Sequence, residues 1–194
     1  MPVLPAAPPH RAPPGSPRAA SRGFTLIELA VVLAIVAVLL RVATPGMSRV
    51  VAARALAVQA SEFMAALRFA RAQALARGAA VTVCASAPDT AVPACQVARS
   101  ADWRSGWIVF ADRDRRGAPN AHEPLLRVQQ PLQRSGGVAG TRGSISFTAA
   151  GYATDAASRY VFSAPAAVSD APPALTVCVS KQGRPRLADR GACD

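Results

Sequence analysis

Three groups of residues have types and spacings that could do chemistry: a basic cluster near the C-terminus, four cysteines, and one carboxylate inside an apolar run. The cluster is the stretch from Cys178 to Cys193, which carries Lys181, Arg184, Arg186 and Arg190. Gly183 and Pro185 oppose regular structure, so Arg184 and Arg186 are expected to project from an exposed loop. From there their planar guanidinium forks can engage phosphate oxygens in pairs. Such contacts give affinity without reading bases and weaken steeply with salt. The bland alternative is a solvated basic tail.

Cys84, Cys95, Cys178 and Cys193 all follow the apolar run. An even count there suits disulfides formed in an oxidising compartment. Zinc is the weaker reading, because no pair has the C-x-x-C spacing of a metal knuckle and His122 is the one histidine beyond the N-terminal segment. Four cysteines allow three pairings. The local one, Cys84 with Cys95 and Cys178 with Cys193, closes short loops and is the expected one.

Other candidates carry less. His122 has neither a nucleophile nor an orienting acid at a recognisable spacing, so no catalytic constellation is found and no cofactor is expected. Asp112 and Asp114 hint at a hard cation. The loop offers no further ligand set, though, and three arginines compete for the carboxylates, so a charged turn is expected. Trp103 and Trp107 could stack bases, but packing in the core or at a sheet edge is the simpler reading.

The elements that must position these residues follow from pattern. Residues 1–22 hold seven prolines, no acid and no apolar periodicity, and read as a leader. Phe24 to Leu40 is apolar apart from Glu28, and with Val42 and Ala43 the run reaches the ~20 residues that span a bilayer. Arginines precede it without acids beside them, which predicts a cytoplasmic N-terminus and a periplasmic C-terminal domain. A secretory signal would need an A-x-A-like site after the run, and residues 37–48 approximate one only weakly. Pro45-Gly46 should kink the helix. Then Leu56, Phe63, Leu67, Ala70 and Ala74 draw one apolar helical stripe that stops at Gly78.

Beyond Gly78, strand-like runs at 80–85, 107–111, 125–130, 144–148, 160–163 and 175–180 alternate with turn residues. The expected class is α+β: a long helix on antiparallel sheet, with a disulfide-tied tail. The expected divisions are 1–23, 24–43, 44–78, 79–177 and 178–194.

The segment Arg22-Gly23-Phe24-Thr25-Leu26-Ile27-Glu28 resembles the prepilin signature of type IV pilins and type II secretion pseudopilins. The resemblance implies that a prepilin peptidase cuts after Gly23 and methylates Phe24. It also implies that Glu28 pairs with the N-terminal amine of a neighbouring pilin as the subunit leaves the inner membrane. An unpaired carboxylate at mid-membrane costs roughly 2.5–3.5 kcal/mol on insertion scales, so Glu28 needs such a partner. The helix end around 63–78, the segment Trp103 to Asp112, Glu123 to Val128, and Phe147 to Gly151 resemble the GspH/FimT branch of minor pilins, and the likeness spans about residues 22–193. Gly183-Arg184-Pro185-Arg186 is similar to the G-R-x-R element of FimT-type members, which implies DNA binding in natural transformation. The branch also includes pseudopilins that serve type II secretion without touching DNA.

Overall charge supports an anionic partner without deciding it. The formal +11 falls to +8 when Arg11, Arg18 and Arg22 leave with the leader.

Overall fold

The computed structural model describes residues 23–88, 90, 92–96, 101–154, 158–168, 170–188 and 192–193, without the side chains of 42–46. The leader, residues 1–22, lies outside the described residues. The chain divides into two compact units, Met1–Leu40 and Arg41–Asp194. One helix, α1, runs Leu26–Arg77 and so belongs to both.

In the first unit α1 begins two residues after Phe24, because Thr25 caps it. The Thr25 hydroxyl accepts the Glu28 backbone N–H at 3.3 Å, and Leu29 N–H donates to the Thr25 carbonyl at 3.1 Å. Threonine followed three residues later by glutamate is the capping-box pattern, and it sets where the helix starts. Every residue from 23 to 41 is exposed, including Leu26, Ile27, Leu33, Leu39 and Leu40. A helix that is apolar all round and uncovered by its own chain requires an apolar medium or partner helices.

In the second unit α1 becomes a one-sided helix. The stretch Met47–Arg77 is also long and apolar enough to cross a membrane by length and composition. However, the expected stripe Leu56, Phe63, Leu67, Ala70 and Ala74 is buried within the domain, which makes it a spine. The helix assignment continues through Pro45 and Gly46. It ends where Gly78 takes a left-handed φ of 60°, as a C-terminal glycine should.

Eight strands follow: β1 (Val81–Ala85), β2 (Trp107–Ala111), β3 (Leu125–Gln129), β4 (Gly137–Gly140), β5 (Ser144–Phe147), β6 (Ser158–Ser163), β7 (Leu175–Val179) and β8 (Pro185–Leu187). The six expected strands are present with ends moved by at most two residues, and β4 and β8 were not expected. They form two four-stranded antiparallel sheets, ordered β3-β2-β1-β5 and β4-β6-β7-β8. Buried β1 and β2 sit in the middle of the first sheet, which is why both read as unbroken apolar runs.

Phe63 joins the helix to both sheets. Its ring lies 5.1 Å from Trp107 of β2, 5.3 Å from Trp103 in the turn before β2, and 4.7 and 5.7 Å from Tyr160 and Phe162 of β6. Most of these contacts are edge-on or tilted, the arrangement that ring quadrupoles favour. Trp103 and Trp107 are fully buried, so they pack the core and offer no stacking platform. The indole N–H of Trp103 donates to the Arg142 carbonyl at 3.0 Å.

Both expected disulfides are formed, Cys84–Cys95 and Cys178–Cys193. The first fastens the loop after β1, where Cys84 packs with Ile108 and Phe110 in a small second cluster.

Candidate functional site

The C-terminal cations stand on a β-hairpin, which corrects the expected exposed loop. β7 and β8 pair antiparallel in the register Val177↔Leu187, Cys178↔Arg186 and Val179↔Pro185. The two residues read as breakers are what the hairpin uses. Gly183 closes the turn with φ 71°, its N–H donating to the Ser180 carbonyl at 2.9 Å. Pro185 begins β8, an edge strand, where a missing donor is tolerated. The expected boundary at 177/178 therefore falls inside β7, and Cys178 and Val179 are buried members of the sheet.

Gly183 is fixed by space as well as by φ. A Cβ there would come within 2.5 Å of the Gly151 carbonyl oxygen and 3.2 Å of the Phe147 ring. The turn is held further by Ala153 N–H donating to the Lys181 carbonyl at 3.0 Å and by Ser180 N–H donating to the Arg184 carbonyl at 3.2 Å. Lys181, Arg184 and Arg186 stay exposed on this scaffold. Arg190 lies outside the described residues. Cys193 returns the chain end to Cys178 on β7.

The same Gly151 carbonyl accepts the Arg71 Nε–H at 2.9 Å, which brings the helix to the hairpin. Between them lies a groove of about 560 Å³, lined on the helix side by Arg68, Arg71 and Leu75 and on the hairpin side by Gly183 and Arg184. No carboxylate among the described residues lines it. Arg68 and Arg71 fall off the apolar stripe of Leu56 to Ala74. Their i, i+3 spacing was a legible sign of a shared face, but the meeting with Arg184 was not.

The acidic loop holds one more residue than expected. Carboxylate oxygens of Asp112, Asp114 and Glu123 lie within 4.8 Å of one another. Asp112 and Glu123 are buried. The loop's own backbone engages these oxygens: Arg113 N–H donates to Glu123 at 2.7 Å, Arg116 and Gly117 to Asp112 at 3.0 and 3.1 Å, and Asn120 to Glu123 at 3.3 Å. Thr82 adds its hydroxyl to Asp112 at 2.7 Å, and Arg116 Nε stands 3.2 Å from Asp114. The carboxylates thus tie residues 112–123 into a charged turn, with Glu123 as the member that sequence spacing missed. His122 is exposed and its backbone N–H donates to the Asn120 side chain at 2.9 Å.

At the other end of the chain, Gly23, Phe24 and Glu28 are all exposed, just before and within the capped start of α1.

Comparison with known proteins now gives four findings. The family model described as type II transport protein GspH matches residues 59–183. The model described as the prokaryotic N-terminal methylation motif matches residues 18–40. Two crystal structures of the type IV minor pilin FimU of Pseudomonas aeruginosa (strain PAO1) are similar at 18% identity. The alignments cover 69% of this chain with 88% and 93% of the other, at TM-scores of 0.49 and 0.47. No curated protein sequence matches.

Proposed function

We propose, from the premise that this chain belongs to the GspH family and carries an N-terminal methylation motif, that it is a minor pilin of a type IV pilus that binds extracellular duplex DNA for uptake in natural transformation. Membership of that family makes it a pilin-like protein, either of a type IV pilus or of type II secretion. The pilus and the DNA are our reading.

The observation that carries the reading is the hairpin turn. It presents Lys181 and Arg184 with no side-chain ion pair among the described residues, and exposed Arg186 two residues on. A turn locked at Ser180, Gly183 and Ala153 holds these cations with little entropy left to lose on binding, which favours contact with phosphates. The contacts engage backbone oxygens, so binding is independent of sequence and weakens with salt.

Delivery runs through the N-terminus. Prepilin peptidase cuts after Gly23 and methylates Phe24, while the chain sits in the inner membrane with its N-terminus cytoplasmic and its C-terminal domain periplasmic. Glu28 then pairs with the amine of a neighbouring pilin as the subunit enters the filament, which carries the hairpin to the cell surface.

Gel retardation of duplex DNA by the full mature chain in uncharged detergent tests this. The wild type retards DNA of unrelated sequences alike, and the Arg184→Ala, Arg186→Ala variant does not. Equal retardation by the variant at physiological salt would remove the assignment to the hairpin. The description of the matched family as a type II transport protein favours a second reading, a GspH-like pseudopilin that contacts other pilins alone. That reading gains the field if the wild type retards no DNA.

A further inference from the structure

We infer that the phosphate-binding surface is composite: Arg68 and Arg71 of α1 join Arg184 of the β7–β8 turn in one groove that grips the backbone of duplex DNA. This rests on the DNA reading above and extends it to residues more than a hundred positions away in the chain.

Charge selects the ligand. Several arginines elsewhere are already matched by acids: Arg49 lies 2.7 Å from Asp170, Arg104 3.3 Å from Asp102, and Arg116 3.2 Å from Asp114. Among the described residues, the groove gathers three guanidinium groups without a carboxylate in its lining. Arg68 is exposed and makes no side-chain hydrogen bond or ion pair among the described residues. A single small anion would leave most of that charge uncompensated, whereas a chain of phosphodiesters compensates it in series.

Geometry prepares the groove. Arg68 and Arg71 are three apart, so their Cβ atoms lie roughly 5–6 Å from each other on one helix face. Arg71 spends its Nε–H on the Gly151 carbonyl, which fixes the plane of the guanidinium, while its Nη groups have no partner among the described residues. The same carbonyl lies against Gly183, one residue before Arg184. One backbone oxygen therefore lies between the bonded Arg71 and the turn that carries Arg184. Leu75, half exposed beside them, gives the groove an apolar wall against which sugar rings can lie.

Fluorescence anisotropy of a labelled duplex over a salt series, with the full mature chain in uncharged detergent, tests the inference. Each phosphate neutralised on duplex DNA contributes about 0.9 to the slope of log K against log salt. Arg68→Gln should flatten the slope by about 0.9, and Arg68→Gln with Arg71→Gln by about 1.8. Arg49→Gln, which removes a charge already matched by Asp170, should leave it unchanged. Arg68 is exposed and makes no side-chain hydrogen bond or ion pair among the described residues, so its variant reads charge even if loss of the Arg71–Gly151 bond unfolds the double variant. A wild-type slope in both helix variants, with binding lost in Arg184→Ala, Arg186→Ala, overturns the composite groove and leaves the hairpin assignment standing. Equal flattening by Arg49→Gln overturns it too, because net charge would then be the cause. If the wild type fails to bind DNA, this inference and the DNA reading fall together.

Discussion

Residues 23–40 and residues 175–193 both carry chemistry, but they are built by different means. In the first stretch the parts are neighbours in sequence. Thr25 caps the helix three residues before Glu28, and the apolar residues that need a membrane follow directly. In the second stretch several parts that matter have their partners elsewhere: Lys181 with Ala153, Gly183 with Gly151 and Phe147, and β7 with β6. A contiguous device survives changes in the domain, whereas an assembled one depends on the whole second unit. Substitutions should therefore separate the two.

The largest effect belongs to Glu28. If it forms a buried ion pair with a neighbouring amine, Glu28→Ala removes one partner at a cost of about 3–5 kcal/mol. Its recovery in sheared filaments should fall on the order of a hundredfold, while the amount in the membrane and the thermal midpoint of the domain stay unchanged. Normal recovery would break the comparison at its first term. Next comes the Cys178–Cys193 bond, whose 15-residue separation predicts about 3 kcal/mol of stabilisation by loop closure. Replacing both cysteines by serine should lower the midpoint by roughly 6–12 °C for a domain of this size. An unchanged midpoint would mean that the hairpin is held by its sheet alone. The smallest effect is the cap. Thr25→Ala should cost about 1 kcal/mol, seen as faster hydrogen exchange at Ile27, Glu28 and Leu29 in detergent, with no effect on the hairpin amides.

Legibility followed the same division. The methylation motif, the apolar run and the helical stripe from Leu56 to Ala74 could be read because their signals are local and periodic. The central strands were legible for the same reason, since β1 and β2 are dense in valine, isoleucine and aromatic residues. β4, Gly-Val-Ala-Gly, has too little side chain to signal a strand. β8 was hidden by Gly183 and Pro185, breakers in isolation that become a turn and an edge once β7 is beside them. The cap at Thr25 shares its residues with the processing motif, Thr25 standing three positions before Glu28. Glu123 lies eleven positions from Asp112, too far along the loop for spacing alone to link the two. No local pattern could have announced that the Gly151 carbonyl accepts from Arg71 and lies against Gly183.

β8 is the edge of its sheet among the described residues, which has a consequence for solubility. An uncovered sheet edge is a template on which further chains can stack into fibrils, and proteins guard such edges with short strands, prolines and charge. β8 has all three: it is three residues long, opens with Pro185, and carries Arg186 at its centre. Copies crowded together in a membrane would thus be turned away from pairing through this edge. On the function proposed above, Arg186 would serve twice, toward a polyanion and against a second copy of its own strand.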